Sequence, residues 1–132
     1  MSSSSQNQFF VYFQRGVATL ETAREGLALH DLETAGVQPE AFTVRYEHLS
    51  FKVTLEDSEQ VASDARAIAG TEERWRPLAL CTARFSVEVS DLNAALEEIN
   101  TMMELQGALQ DCADGYLVLP WNGGILGPWG GV

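Results

Sequence analysis

Positive charge is scarce in this chain and stops early. Eight Lys and Arg residues stand against nineteen Asp and Glu in 132, a formal charge of −11, and none of the eight lies beyond Arg84. An acidic excess of that size opposes direct binding to nucleic-acid phosphates or to anionic membrane surfaces. Long apolar runs are missing too, since nothing approaches the roughly 20 residues that a membrane-spanning helix requires. Cysteine is limited to Cys81 and Cys112, well below the density of disulfide-stapled secreted domains and suited to a reducing compartment. Residues 1–8 carry no basic n-region, and the apolar stretch behind them is too short for a signal segment, so a cytoplasmic protein is expected.

Motifs that carry chemistry are equally sparse. Glycine-rich dinucleotide and phosphate loops, the nucleophile elbow and the paired-histidine zinc helix are all absent. His30, His48, Cys81 and Cys112 are scattered along the chain rather than set at ligand spacing, so neither a metal nor a cofactor is expected. Cys81 falls in a strand pattern, where a buried thiol without a neighbouring base is a poor nucleophile. Glu97 and Glu98 occupy adjacent helical positions that do not face each other, which makes a poor acid/base pair. The expectation is a non-enzymatic protein.

What the chain does have is enough apolar sequence to fold. With 45% hydrophobic residues, it fits one domain over 9–119, between a disordered N-terminal segment (1–8) and a C-terminal tail (120–132). Phe9 to Phe13 is apolar on both alternating faces, which predicts a central strand. Leu20, Ala23, Leu27, Ala28, Leu32 and Ala35 recur at helical spacing with Gly36 in the C-cap position, predicting one helix over 17–35. Phe42, Val44, Tyr46 and His48 then shift phase to Leu49, Phe51, Val53 and Leu55, so the chain must turn or bulge near 47–50. Asp57 or Ser58 opens a second helix that buries Val61, Ala65, Ile68 and Ala69 and ends near Gly70.

Residues 72–77 read as a loop and 79–89 as the longest strand. Ser90 or Asp91 opens a third helix, burying Leu92, Ala95, Leu96, Ile99, Met102, Met103 and Leu109 and broken or bent near Gly107, before a short strand from Tyr116 to Leu119. This order predicts an α+β two-layer sandwich. It would have a mostly antiparallel sheet of four or five strands and about three helices, ferredoxin-like in its early part.

Charge carries the strongest functional signal. Residues 85–132 contain seven acids and no Lys or Arg, so these carboxylates await neutralisation by the earlier part of the chain or by another molecule. Glu97, Glu104 and Asp111 recur every seven residues opposite the apolar stripe, an acidic row for a partner's basic side chains; a solubilising face is the plainer alternative. Three charges over about 21 Å are too sparse to imitate duplex DNA, which carries one per about 1.7 Å. In the tail, glycines and prolines discourage regular structure, while Trp121, Ile125, Leu126 and Trp129 are costly to leave in water. They read either as anchors for a partner or as a tail folded back on its own sheet. Arg74-Trp75-Arg76 resembles a small stacking site, with local pairing to Glu72 and Glu73 the simpler account.

Together these features favour an acidic, non-enzymatic binding protein that occupies a basic protein surface without touching nucleic acid or membrane. The expected partner is a nucleic-acid-binding protein or enzyme, such as a nuclease, restriction or CRISPR-type defence complex, which it would inhibit. Small acidic inhibitors of that general kind are encoded by phages and mobile elements, an analogy of class alone. Two rivals stand beside it. One is a small-molecule binder or small enzyme with a pocket lined by Tyr12, Tyr46, His48 and Arg84. The other is a homodimeric assembly protein that pairs through Phe10, Tyr12, Leu78 and Leu80 together with the C-terminal tail.

Overall fold

The sheet is organised around β1 (Gln8–Phe13). A computed structural model describes residues 7–47, 49–121 and 123–127. In it β1 is joined by β2 (Glu33–Gln38), β3 (Ala41–Tyr46), β4 (Leu49–Glu56), β5 (Ala83–Val89), β6 (Tyr116–Leu119) and β7 (Gly124–Leu126). These form one seven-stranded sheet of order β2-β3-β4-β5-β1-β6-β7, with every neighbouring pair antiparallel. Five α-helices accompany it: α1 (Leu20–Leu29), α2 (Glu59–Ala69), α3 (Arg76–Ala79), α4 (Leu92–Glu97) and α5 (Ile99–Ala113). The α+β class therefore holds, with more strands and helices than the sequence pattern alone resolves.

Helices cover both faces of the sheet, which corrects the two-layer expectation. Successive strand residues point to opposite faces, and β1 is apolar on both, so each face needs its own cover. Phe9, Val11 and Phe13 share a core with Leu27 of α1 and with Met102, Leu105 and Leu109 of α5. Tyr12 points the other way, into a second core with Val61 and Ala65 of α2, Leu78 of α3 and Val118 of β6. The ferredoxin-like expectation is corrected as well: β1 lies between β5 and β6 and pairs with both in antiparallel fashion. Strands β5 and β6 consequently run in the same direction on either side of β1, linked through α4 and α5.

Local chemistry sets the element boundaries. Helix α1 begins at Leu20 because the Thr19 hydroxyl accepts from the Thr22 backbone N–H (3.2 Å) and the Thr22 hydroxyl accepts from the Thr19 N–H (2.8 Å), a reciprocal cap. It ends well short of Ala35: Asp31 takes a left-handed φ of 59°, and the chain leaves as edge strand β2. Gly36, expected as a helix cap, instead supplies a φ of 59° where the β2–β3 register shifts between Ala35 and Gln38. The phase change near residue 47 is a tight β3–β4 hairpin, with Glu47 at φ 53°. Residues 73–75 form a 3-10 turn leading into α3, so β5 begins at Ala83 rather than 79. Leu78 is buried while Leu80 is exposed, and both lie outside the strand, which breaks up the apolar patch proposed for a dimer.

The third helix is broken at Glu98 (φ −105°, ψ 52°), not broken or bent at Gly107, which sits inside regular α5. The break turns α5 so that Met102, Leu105 and Leu109 meet the sheet, and Leu96, Ile99 and Met103 are left exposed.

Two glycines give opposite expectations for alanine. A Cβ at Gly115 would sit 2.7 Å from the Tyr12 carbonyl oxygen and 2.7 Å from Val11 Cγ1, whereas one at Gly107 meets nothing within 4 Å. Gly115→Ala should cost about 1–3 kcal/mol through overpacking. Gly107→Ala should add about 0.5–1 kcal/mol by favouring the helix. Urea unfolding of the two variants checks the pair, and equal shifts would contradict the packing described.

Candidate functional site

The two helical layers differ sharply in how their charges are satisfied. On the α2 side, Arg15 pairs with Asp57 (3.4 Å), Arg74 with Glu72 (3.1 Å) and Arg76 with Glu73 (3.5 Å), and Arg84 contacts both Glu56 and Asp64. With Arg66 on α2, five of the eight cations belong to this side. Arg45 lies opposite Glu33 and Lys52 opposite Glu88 on the sheet. That leaves Arg24 as the one Lys or Arg on α1, α4 or α5. These three helices and the Glu98 link carry Glu21, Glu25, Glu97, Glu98, Glu104 and Asp111. Among the described residues only Glu104 of this set meets a basic side chain, Nδ1 of His30 at 3.3 Å, a contact that is an ion pair only when the ring is protonated.

The expected acidic row is thus rearranged. Glu104 and Asp111 share α5, but Glu97 closes α4 on the far side of the helix break, so the three do not form one straight line. Glu25 of α1 joins Asp111 instead, because α1 and α5 pack closely, whereas Glu21 lines a separate hollow with Arg24. A Cβ added at Gly26 would lie 3.6 Å from Cys112 Cβ and 3.7 Å from the Ala108 carbonyl. Between the helices runs an open groove of about 380 Å³ with Glu25 and Asp111 among its walls and His30 at one end. Glu25 could have been found from sequence only by knowing that α1 and α5 are neighbours.

The alternative pocket is only partly assembled. Tyr12 and Arg84 face each other across β1 and β5, and Arg84 Nη1 donates to the Tyr12 hydroxyl (2.8 Å) and to Asp64 Oδ2 (3.0 Å) while Nε donates to Glu56. The guanidinium lies 4.7 Å from the Phe10 ring centroid, and its side chain is only 13% exposed. Burial pulls the Arg84 pKa down, but its bonds to Glu56 and Tyr12 more than offset this and the net direction is upward. Burial also raises the Tyr12 pKa, against the lowering effect of Arg84. Tyr46, in register with Leu49 of the opposite core, points to the other face, and His48 lies outside the described residues. Arg84 thus joins strands and helix as a structural hub.

The tail largely engages its own sheet up to residue 127. Trp121 meets Phe9 edge-on with centroids 6.3 Å apart, Ile125 packs into the second core, and Leu126 is exposed; Trp129 lies outside the described residues. Gln110 Nε2 lies within hydrogen-bond distance of the Gly115, Leu126 and Gly127 carbonyls, fastening β7 to α5. The expected tail therefore contributes a strand. Trp75 packs edge-on against Tyr116 with Arg74 stacked at 4.8 Å. Among the described residues, no three His, Cys, Asp or Glu side chains are placed to hold a metal ion, and no helix is long and apolar enough to cross a membrane.

Burial pushes both Cys81 and Cys112 up to about 11. A raised pKa means that the folded state favours the neutral thiol. That contribution is complete below pH ~8.5 and is lost as pH rises towards 11. At pH 7.5 iodoacetamide should label these thiols at least ~100-fold more slowly in the folded than in the urea-unfolded chain; comparable rates would contradict the burial.

Arg84→Met should destabilise the fold by about 1–3 kcal/mol, because it leaves Glu56 and Asp64 facing each other. Arg84→Lys should recover little of the loss, since an ammonium lacks the planar fork. Chemical denaturation of both variants measures this, and full recovery by lysine would show that charge alone suffices.

Comparison with protein families, with characterised proteins and with solved structures finds no match to this chain.

Proposed function

We propose that this is an acidic, non-enzymatic cytoplasmic protein that binds and inhibits a partner by covering its basic surface through the α1–α4–α5 layer. The partner class is a nucleic-acid-binding protein or enzyme, such as a nuclease, restriction or CRISPR-type defence complex, whose cationic cleft presents many Lys and Arg. The observation that carries this reading is the segregation of charge. Carboxylates of the α2 layer are largely matched by cations of the same chain, whereas those of the α1–α4–α5 layer, Glu104 excepted, form no ion pair among the described residues.

An unmatched field of one sign steers encounter with a complementary surface, and desolvated apolar contacts supply lifetime. Such contacts are available on the same layer: Leu29 is 86% exposed and Met103 59% exposed. They take over the anchoring role expected of Trp121 and Ile125, which are engaged within the fold. The rival pocket draws less support, because three of the Arg84 donor contacts are already made to Glu56, Tyr12 and Asp64.

The test is capture from lysate at low and moderate salt, repeated with two charge-reversed variants. Glu25→Lys/Asp111→Lys should lower the association rate of the captured basic partner by tenfold or more at low salt. Glu72→Lys/Glu73→Lys, altering acids already paired with arginines, should change it little. Equal losses from the two variants would sink the assignment to this layer, and retention by both would sink the electrostatic reading itself.

A further inference from the structure

We infer that β7 is a latched strap, a strand that opens and closes as one unit on the otherwise folded domain, with Gln110 of α5 as its latch and the edge of β6 as what it covers. The inference is independent of the acidic-layer reading above. β7 is the outermost strand on its side of the sheet and only three residues long. Of its residues, Ile125 packs into the second core, Leu126 is 54% exposed and Gly124 has no side chain to pack. The chain is fixed just before it, where Trp121 meets Phe9 edge-on. It then turns at Gly123, whose N–H donates to the Leu119 carbonyl (2.9 Å) and whose φ of 71° suits glycine. An anchor, a hinge and a short strand therefore follow one another.

The latch has a second partner to fall back on. Gln110 Nε2 carries two hydrogens yet lies within bonding distance of three carbonyls, those of Gly115 (3.0 Å), Leu126 (3.2 Å) and Gly127 (3.0 Å), so the three share what one amide can give. The bond to Gly115 is part-buried and stays within the turn from α5 to β6, whereas those to Leu126 and Gly127 are exposed. When β7 lifts, the amide keeps Gly115 as its acceptor and water takes the two freed carbonyls, so no buried polar group is orphaned. What opening uncovers is the main chain of β6 (Tyr-Leu-Val-Leu), paired with β7 from Leu117 to Leu119. An apolar strand edge of that kind recruits foreign strands, and the closed strap withholds it.

The test is amide hydrogen exchange, followed residue by residue by NMR on the full chain at neutral pH. Amides bonded across the β6–β7 pair should exchange at least about 100-fold faster than those bonded across β1–β5, because they open locally. Gln110→Ala should speed the β6–β7 set by a further factor of about ten and leave the β1–β5 set unchanged, which also shows that the fold is intact. Gln110→Glu, which keeps the side-chain length but loses the donor hydrogens, should match the alanine variant. If the β6–β7 amides exchange no faster than the β1–β5 set, or if both substitutions speed the two sets alike, β7 is an integral strand and the inference is overturned. Slow exchange retained in Gln110→Glu would overturn the role of Gln110 as latch.

Discussion

A strand buried on both faces is the constraint from which the rest of this structure follows. β1 places Phe9, Val11 and Phe13 on one side and Tyr12 on the other, all nearly inaccessible to solvent. Neither side can be left to water, because large apolar side chains are each worth about 1.5–3 kcal/mol when buried. One helical layer cannot serve both, so α1 with α4 and α5 covers one face and α2 with α3 the other. The separation of the two cores, and of two surfaces of different electrostatic character above them, follows from alternation in this six-residue strand.

That separation gives the acidic excess a geography. A charge of −11 spread evenly would serve mainly to keep a small protein soluble. Here the arginines gather around α2 and β5, where several lie within ion-pairing distance of carboxylates, and the opposite layer is left with a concentrated negative field. The individual surface pairs contribute little to stability. Their effect on the field is larger, since each removes one carboxylate from the set that a partner could sense.

Much of the architecture was legible where apolar residues repeat strongly. β1, the β3–β4 hairpin, α2 with its Gly70 end and β6 each announce themselves by periodicity. β2 (Glu-Thr-Ala-Gly-Val-Gln) escaped because an exposed edge strand has no buried face to impose a pattern, and β7 is hidden among glycines. The break at Glu98 carries no glycine or proline, so nothing local marks it, and unbroken helical spacing places Ile99 and Met103 in the core although both are exposed. Of the candidate surface, Glu104 and Asp111 were visible in the spacing of one helix. Glu25 and Leu29 were not, since their relevance depends on α1 lying against α5. The Tyr12–Arg84 pair could be suspected from strand alternation, but the role of Glu56 and Asp64 in closing it depends on how α2 crosses the sheet.

The placement of β1 between β5 and β6 also governs when the molecule can come into being. The strand that leads the fold finds its two neighbours some eighty and a hundred residues later, with Phe9 opposite Val87 and Val11 opposite Leu117. Closing such loops loses chain entropy before any contact rewards it. During synthesis, β1 must remain without either sheet neighbour until most of the chain has been made, its phenylalanines exposed to whatever else is present. Assembly is therefore a late, collective event, and the interval before it is when this chain is most exposed to aggregation.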